Sequence, residues 1–260
     1  MVRIITSKDN KNIKLVRQLG KKSFRYEARK FVAEGRKLVL EALCFAPDDI
    51  CFAVMAQSFF DSEKDFVQKV ELKEVDVFVV SDATFNDISD TDTPQGVLAV
   101  VSMKEESCCE RDDAKEVLVL DGVSEPGNMG TAIRTAEAFG YDKVYVMKGS
   151  ADIYSPKTVR STMGSVFRMD FKRDCLISDI LKLQEEGFSI IATSPLGEVR
   201  LEDFKAPEKI AVVIGNEAHG VCDEILKMAD ARVRISMDGM AESLNAAVAS
   251  GIVLHWLKSR

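Results

Sequence analysis

The sequence predicts an α/β protein of two domains, and three observations lead there. Short strands rich in β-branched residues and phenylalanine alternate with helical patterns along the chain. In the second half the strands are nearly continuous apolar runs, such as VLVL (117–120) and IAVVI (210–214). Such runs suit a parallel sheet covered on both faces. Between the halves lies MKEESCCERDDAK (103–115), polar, mixed in charge and without periodicity. We therefore expect domains at 1–104 and 115–260, joined by a linker at 105–114.

In the first domain the expected strands are KFVAEG (30–35), DICFAVMA (49–56), VDVFVV (75–80) and QGVLAVV (95–101). Between the first two, RKLVLEALCF (36–45) reads as a helix with Leu38, Leu40, Ala42, Leu43 and Phe45 apolar. The second domain begins with EVLVLDGV (116–123), then a glycine-punctuated turn and helix, PGNMGTAIRTAEAFG (126–140). Further strands are expected at KVYVMK (143–148), SVFRMDF (165–171), SIIATS (189–194), KIAVVIGNE (209–217) and ARVRIS (231–236). The last helix, SLNAAVASGIVLHWLKS (243–259), has a nearly bare first half: Ala246, Ala247, Ala249, Ser250 and Gly251. Small residues let another backbone approach closely, either the helix's own sheet or a second subunit.

At 46% hydrophobic and 30% charged the chain can bury a core and stay soluble. No apolar run reaches the roughly 18 residues that span a membrane, and the start, MVRIITSKDNKN, lacks an apolar signal segment. We expect a cytoplasmic protein with no membrane partner. The six cysteines, including adjacent Cys108 and Cys109, form no pattern of paired CxxC motifs. Reduced, mostly buried thiols are expected, and no metal site. Net charge is −7, yet residues 1–40 hold 12 Lys/Arg against Asp9, Glu27 and Glu34, a local +9. That asymmetry fits a basic segment touching a polyanion, or a solvated helix face.

The loop at 126–130 is not a P-loop, because no GK[ST] follows its glycines. Gly122, Gly127 and Gly130 are spaced five and three apart, unlike a dinucleotide fingerprint. His219 and His255 lie in no HExxH, and no GxSxG elbow is present. Three polar clusters remain, each at a strand end. The first is Asn128, a candidate helix cap, with Arg134 on a face shared by Thr131 and Glu137. The second is Gly215-Asn216-Glu217, and the third lies in ISMDGMAESLNAA (235–247). Loops at the carboxyl ends of parallel strands form the usual ligand crevice of such sheets.

"NMGTAIRTAEAFG", "SPKTVRSTMGSVFRM", "VVIGNEAHGV" and "ISMDGMAESLNAAVASGIVLHW" together resemble the sequential motifs of the SpoU family, TrmH-like RNA ribose 2'-O-methyltransferases of the SPOUT superfamily. In the first domain "NKNIKLVRQL", "FVAEGRKLVLEAL" and "TDTPQGVLAVV" look like that family's substrate-binding domain, a ribosomal-protein-like α/β fold. The resemblance implies a deep trefoil knot in the C-terminal half, S-adenosylmethionine held by the knotted loops, and a homodimer through the C-terminal domain. It carries over Gly215, Asn216, Glu217, Ile235, Met237, Ser243, Leu244 and Asn245 as the cofactor site. Asn128, Arg134, Glu217 and Asn245 match the residues acting on the ribose. Arg160 matches an arginine supplied across the dimer, and Lys21, Lys22 and Arg25 are the expected RNA contacts. The implied activity is 2'-O-methylation of structured RNA, rRNA of the large subunit before tRNA. The alternative is a non-catalytic RNA-binding assembly factor that kept the fold. Two positions depart from the commonest pattern: Ala218-His219 stands for a Gly-plus-basic pair, and Ala247 for a serine.

Methyl transfer from a sulfonium is an in-line displacement, so positioning the 2'-hydroxyl supplies much of the rate. The hydroxyl also loses a proton. Arginine side chains stay charged in proteins, so Arg134 suits gripping the adjacent phosphate and stabilising a developing alkoxide better than acting as the base. Water and Glu217 both remain open as proton acceptors.

Overall fold

The computed structural model describes residues 1–104 and 114–259. Cys108 and Cys109, and nearly all of the expected linker, lie outside the described residues. Backbone contacts divide the chain into two compact units, Met1–Glu105 with Tyr154–Phe167, and Glu106–Ile153 with Arg168–Arg260.

The first unit runs β1 (Val2–Ile4), α1 (Lys11–Gln18), α2 (Lys22–Ala28), β2 (Lys30–Glu34), α3 (Arg36–Phe45), β3 (Ile50–Ala56), α4 (Gln57–Ser62), α5 (Lys64–Glu71), β4 (Val77–Val80), α6 (Asp82–Ile88) and β5 (Val97–Ser102). Its sheet has the order β1-β4-β3-β5-β2. β1, β4 and β3 run parallel, and β5 is antiparallel to both of its neighbours. Two sequence motifs meet at the end of β2. Gly35, at φ +103°, turns the chain sharply from β2 into α3, a conformation costly for any residue with a Cβ. Its N–H bonds Val97 O at 2.9 Å, and Gln95 Oε1 accepts from the Arg36 N–H at 2.8 Å. Buried Glu34 accepts from Asp90 N (3.0 Å), from the Thr91 hydroxyl (2.9 Å) and from the Ser89 hydroxyl. FVAEG thus clamps the TDTPQG loop.

The second unit continues with β6 (Glu116–Asp121), α7 (Pro126–Ala138) and β7 (Lys143–Met147). The chain then contributes α8 (Pro156–Thr162) to the first unit, where α8 packs on β2. The Phe31 ring lies 4.8 Å from Tyr154 and 6.1 Å from Phe167, so both ends of that segment are pinned. β8 (Asp170–Cys175), α9 (Ile177–Glu185), β9 (Ser189–Thr193), β10 (Val199–Arg200), β11 (Ile210–Gly215), α10 (Asp223–Met228), β12 (Ala231–Arg234) and α11 (Ala246–Lys258) complete the second unit. Its seven strands are all parallel, in the order β10-β12-β9-β11-β6-β7-β8. Every residue of central β11 is buried. Each such Val or Ile side chain is worth about 1.5–3 kcal/mol over leaving it in water.

The expected parallel C-terminal sheet and smaller N-terminal α/β unit are present. Three details differ. Residues 165–167 form a 3₁₀ turn, and β8 begins only at Asp170 with the polar run DFKRDC. Strands β1 and β10, of three and two residues, carried no apolar signal. The thiols are not mostly buried: among the described residues only Cys175 is, while Cys44 is exposed and Cys51 and Cys222 are half-buried.

Candidate active site

β6 and β11 are neighbours, with Asp121 opposite Gly215, so the loops leaving them lie side by side. Side chains lace these loops together. Asn216 donates from Nδ2 to Gly122 O at 2.7 Å, and the Cys222 N–H donates to Asp121 Oδ2 at 2.8 Å. The Asn216 Oδ1 accepts from the N–H groups of Ala218 (2.9 Å) and His219 (3.1 Å), curling the loop back. Gly215 is glycine because a Cβ there would meet the Gly220 carbonyl carbon at 2.1 Å.

Glu217 crosses to the first cluster. Its Oε2 accepts from the Ser124 N–H (3.1 Å) and hydroxyl (2.9 Å). Its Oε1 accepts from Glu125 N (3.3 Å) and Asn128 Nδ2 (2.9 Å). Partial burial pushes the carboxyl pKa up, but these hydrogen bonds, led by Asn128, outweigh it and bring it down to about 2. Asn128 then passes the chain of contacts on: its Oδ1 accepts from Asn245 Nδ2 at 3.0 Å. Asn245 caps α11, its Oδ1 accepting from Ala247 N (2.9 Å) and Val248 N (3.3 Å). The three expected residues Asn128, Glu217 and Asn245 therefore form one hydrogen-bonded line.

Asn128 is not the helix cap. That position is Glu125, whose Oε2 accepts from the Asn128 N–H at 2.9 Å, with Pro126 at the first helical position. Asn128 sits inside the first turn, which frees its amide for Glu217 and Asn245. Arg134 lies six residues further along α7, exposed, and makes no hydrogen bond or ion pair among the described residues. It does not pair with Glu137, because Glu137 is held by Arg168, with Nε 2.9 Å from Oε1.

Beside this line is a cavity of about 460 Å³ at the carboxyl ends of β9, β11 and β12. It takes in Gly215, Asn216, Glu217, Ile235, Met237, Ser243 and Leu244 from the expected cofactor set. Asn245 is absent from its wall but lies between Leu244 and Ala246, which line it. Outside the expected set, the Thr193–Leu196 loop after β9 and His219 also line the cavity. The signal for that loop was only its place, at the end of an apolar strand beside β11.

The remaining site residues lie in the first unit. Arg160, on α8, has Nη1 2.9 Å from Asp90 Oδ2, at ion-pair distance but outside hydrogen-bond alignment. Lys21 and Lys22 are exposed. Arg25 corrects the expectation of a phosphate contact: it is 3% exposed and donates from Nη1 to the carbonyls of Leu19 (2.8 Å) and Gly20 (2.9 Å). A guanidinium committed to buried carbonyls cannot reach a polyanion. Only part of the bare half of α11 turns inward: Ala246 and Ser250 are buried, whereas a Cβ at Gly251 would meet open space. Ser250 donates to Ala246 O at 2.7 Å, while Val248 and Ile252 are the large apolar side chains of α11 left exposed.

Residues 115–255 match the SpoU rRNA Methylase family. The chain belongs to that family. Residues 10–99 of this methylase match the MRM3-like substrate binding domain. Among curated relatives it is 36% identical over 184 residues to the 23S rRNA (guanosine(2553)-2'-O)-methyltransferase RlmP of Bacillus subtilis, covering 71% of this chain and 73% of the relative. Among solved structures, the AdoMet-bound rRNA methyltransferase from Sinorhizobium meliloti superposes with a TM-score of 0.85 at 31% identity, covering 99% of this chain and 98% of that one. The SpoU methyltransferase AviRb from Streptomyces viridochromogenes, solved with AdoMet, superposes at 0.84 and 25% identity over 96% and 97% of the two chains.

Proposed function

We propose that this SpoU methylase transfers a methyl group from S-adenosylmethionine to a ribose 2'-hydroxyl of ribosomal RNA. The observation that carries the site assignment is the line Asn245–Asn128–Glu217, which ties the cofactor cavity to the helix bearing Arg134, unpartnered among the described residues. Family membership and the intact line favour catalysis over a non-catalytic assembly factor. The cavity suits the cofactor. Its volume falls in the range of about 300–1,000 Å³ usual for small-molecule sites. Leu226, Val233 and Leu244 offer apolar surface to a purine, and the loops after β9 and β11 offer backbone groups to its polar edges. When bound, S-adenosylmethionine supplies an electrophilic methyl group on a sulfonium.

The chain's own residues divide the remaining work. Glu217 is a positioning residue: four donors occupy its carboxylate, and a pKa near 2 makes it a poor base. Asn128 and Asn245 hold the first turns of α7 and α11 in register. Arg134 grips the phosphate next to the target ribose and stabilises the developing alkoxide, and the proton leaves through water. We further assign residues 1–104 to RNA binding and 115–260 to methyl transfer, with 154–167 joining the former by contact. The trefoil knot and a cytoplasmic location complete the reading; among the described residues no helix is long and apolar enough to cross a membrane. The exposed Val248 and Ile252, four residues apart on α11, fit a second copy of the chain and make the methylase a homodimer.

The test is single-turnover methylation of 23S rRNA. Arg134→Ala should lose about 10²–10³-fold in rate while keeping cofactor binding. Arg134→Lys keeps charge but loses the planar fork, so it should be badly impaired with an unchanged pH–rate profile. A profile moved toward lower pH would instead mark position 134 as the base, and near-normal turnover by the alanine variant would remove Arg134 from the site.

A further inference from the structure

The first unit carries a second recess, about 740 Å³, between the start of α3, the start of α4, α6 and the TDTPQG loop. It is built by the two motifs clamped at Glu34 and Gln95, which the catalytic reading leaves without a task. Its charges are arranged unevenly. Arg36 is neutralised by Glu63, with Nη1 2.7 Å from Oε2. Asp82 accepts from the Ser58 hydroxyl on the α6 side. Lys37, on the α3 side, is exposed and has no partner among the described residues. Asn86 lies one turn beyond Asp82 on α6, also exposed, its side chain without a hydrogen bond among the described residues. Gln95 has its oxygen on the Arg36 N–H, so its amide NH₂ remains available. Leu40 and Phe59 form an apolar floor.

We propose that this groove is a subsite for one unpaired nucleotide of the RNA substrate, with a phosphate on Lys37 and the base edge against Asn86 and Gln95. It rests on the rRNA-methylation reading above and adds where sequence is read. A recess of this size takes a splayed-out base, whereas a duplex backbone is met by a broad basic surface. Side-chain amides carry both donors and acceptors and so match base edges. The Asp82 carboxylate repels phosphate from the α6 wall, which orients the nucleotide with its phosphate toward α3. The groove also adjoins basic α1: α1 packs on α6, where Asp87, next to Asn86, takes Lys8 and lies 3.9 Å from Arg17. RNA backbone held along α1 would lead into the groove.

The test uses the full chain, an in vitro 23S rRNA transcript and a fluorescein-labelled ten-nucleotide single strand of mixed sequence with its duplex. Lys37→Ala and Asn86→Ala alter exposed side chains without partners among the described residues, so thermal melting should be unchanged in both. Lys37→Ala should weaken single-strand binding and lower the slope of log K against log salt by about 1. Asn86→Ala should weaken it about tenfold with the slope unchanged, and raise KM for the transcript with kcat kept. Duplex binding should move in neither variant. Wild-type affinity and slope in both variants, with wild-type protein methylating the transcript, would overturn the subsite and leave the methylase reading standing. Equal losses on the duplex would also overturn it, showing a general backbone surface. A wild-type protein that neither bound nor methylated RNA would overturn both.

Discussion

The cavity at the strand ends of the second unit is walled mainly by apolar side chains and loop backbone, whereas the groove of the first unit presents amides and charges. The first is held open by main-chain paths, by Gly215 pressed against Gly220 and by the caps on α7 and α11. The second is held by the clamps at Glu34 and Gln95, while Lys37 and Asn86, the proposed nucleotide contacts, hold nothing in place. Damage to the cavity should therefore come from added atoms and broken caps, and damage to the groove from deleted ones.

The largest effect should come from α11, because Ala246 and Ala249 line the cavity while Val248 and Ile252 face outward. Replacing Val248 and Ile252 together by Glu should weaken self-association at least about a hundredfold, or roughly 3 kcal/mol. Sedimentation velocity reads this directly. Cofactor affinity should fall with it while short single-strand RNA binding at the groove persists; loss of both together would break the comparison. Next, Gly215→Ala adds one atom where none fits. It should destabilise by about 1–3 kcal/mol, read by urea unfolding, and remove most S-adenosylmethionine binding in calorimetry.

Glu217→Gln should cost less, about 1–2 kcal/mol at neutral pH once solvent screening of this exposed carboxylate is allowed for. The folded carboxyl sits below its usual value, so its stabilising contribution is fully present above about 4.5 and is lost as pH falls toward about 2. Most of the gap between wild type and variant should therefore close across that window in acid-unfolding curves. A gap independent of pH would mean the carboxylate charge contributes nothing. The smallest effect belongs to the basic surface. Replacing Lys21 and Lys22 by Ala should lower the RNA salt slope by about 2 without changing melting. Arg25→Ala should instead lower melting and leave the slope alone, since its guanidinium serves buried carbonyls.

How much of this was legible in the sequence follows burial. Strands flanked on both sides, such as β6, β9 and β11, announce themselves because both faces must be apolar. The misread strands β1, β8 and β10 are all sheet edges, where short length and a solvated face erase the pattern. The site residues Asn128, Glu217 and Asn245 were found because polar groups at strand ends stand out, but their mutual bonds span up to 117 positions and leave no local trace. Asn128 suits a cap by residue type, but the Glu125-Pro126 pair starts the helix three residues earlier. Arg25 looked like surface because cations usually are; only tertiary contacts show its burial. The +9 of residues 1–40 was likewise incomplete, since residues 41–104 answer with 13 acidic residues against four lysines, and Asp87 and Glu63 pair with it directly.

The measurement that bears most directly on the account is transfer of labelled methyl from S-adenosylmethionine to 23S rRNA by the full-length protein, followed by nuclease digestion to nucleosides. Label in a single 2'-O-methylated nucleoside is expected, with its rate of appearance cut about 10²–10³-fold by Arg134→Ala and cofactor binding intact. Label on a base, or no transfer by a protein that binds both cofactor and RNA, would contradict it.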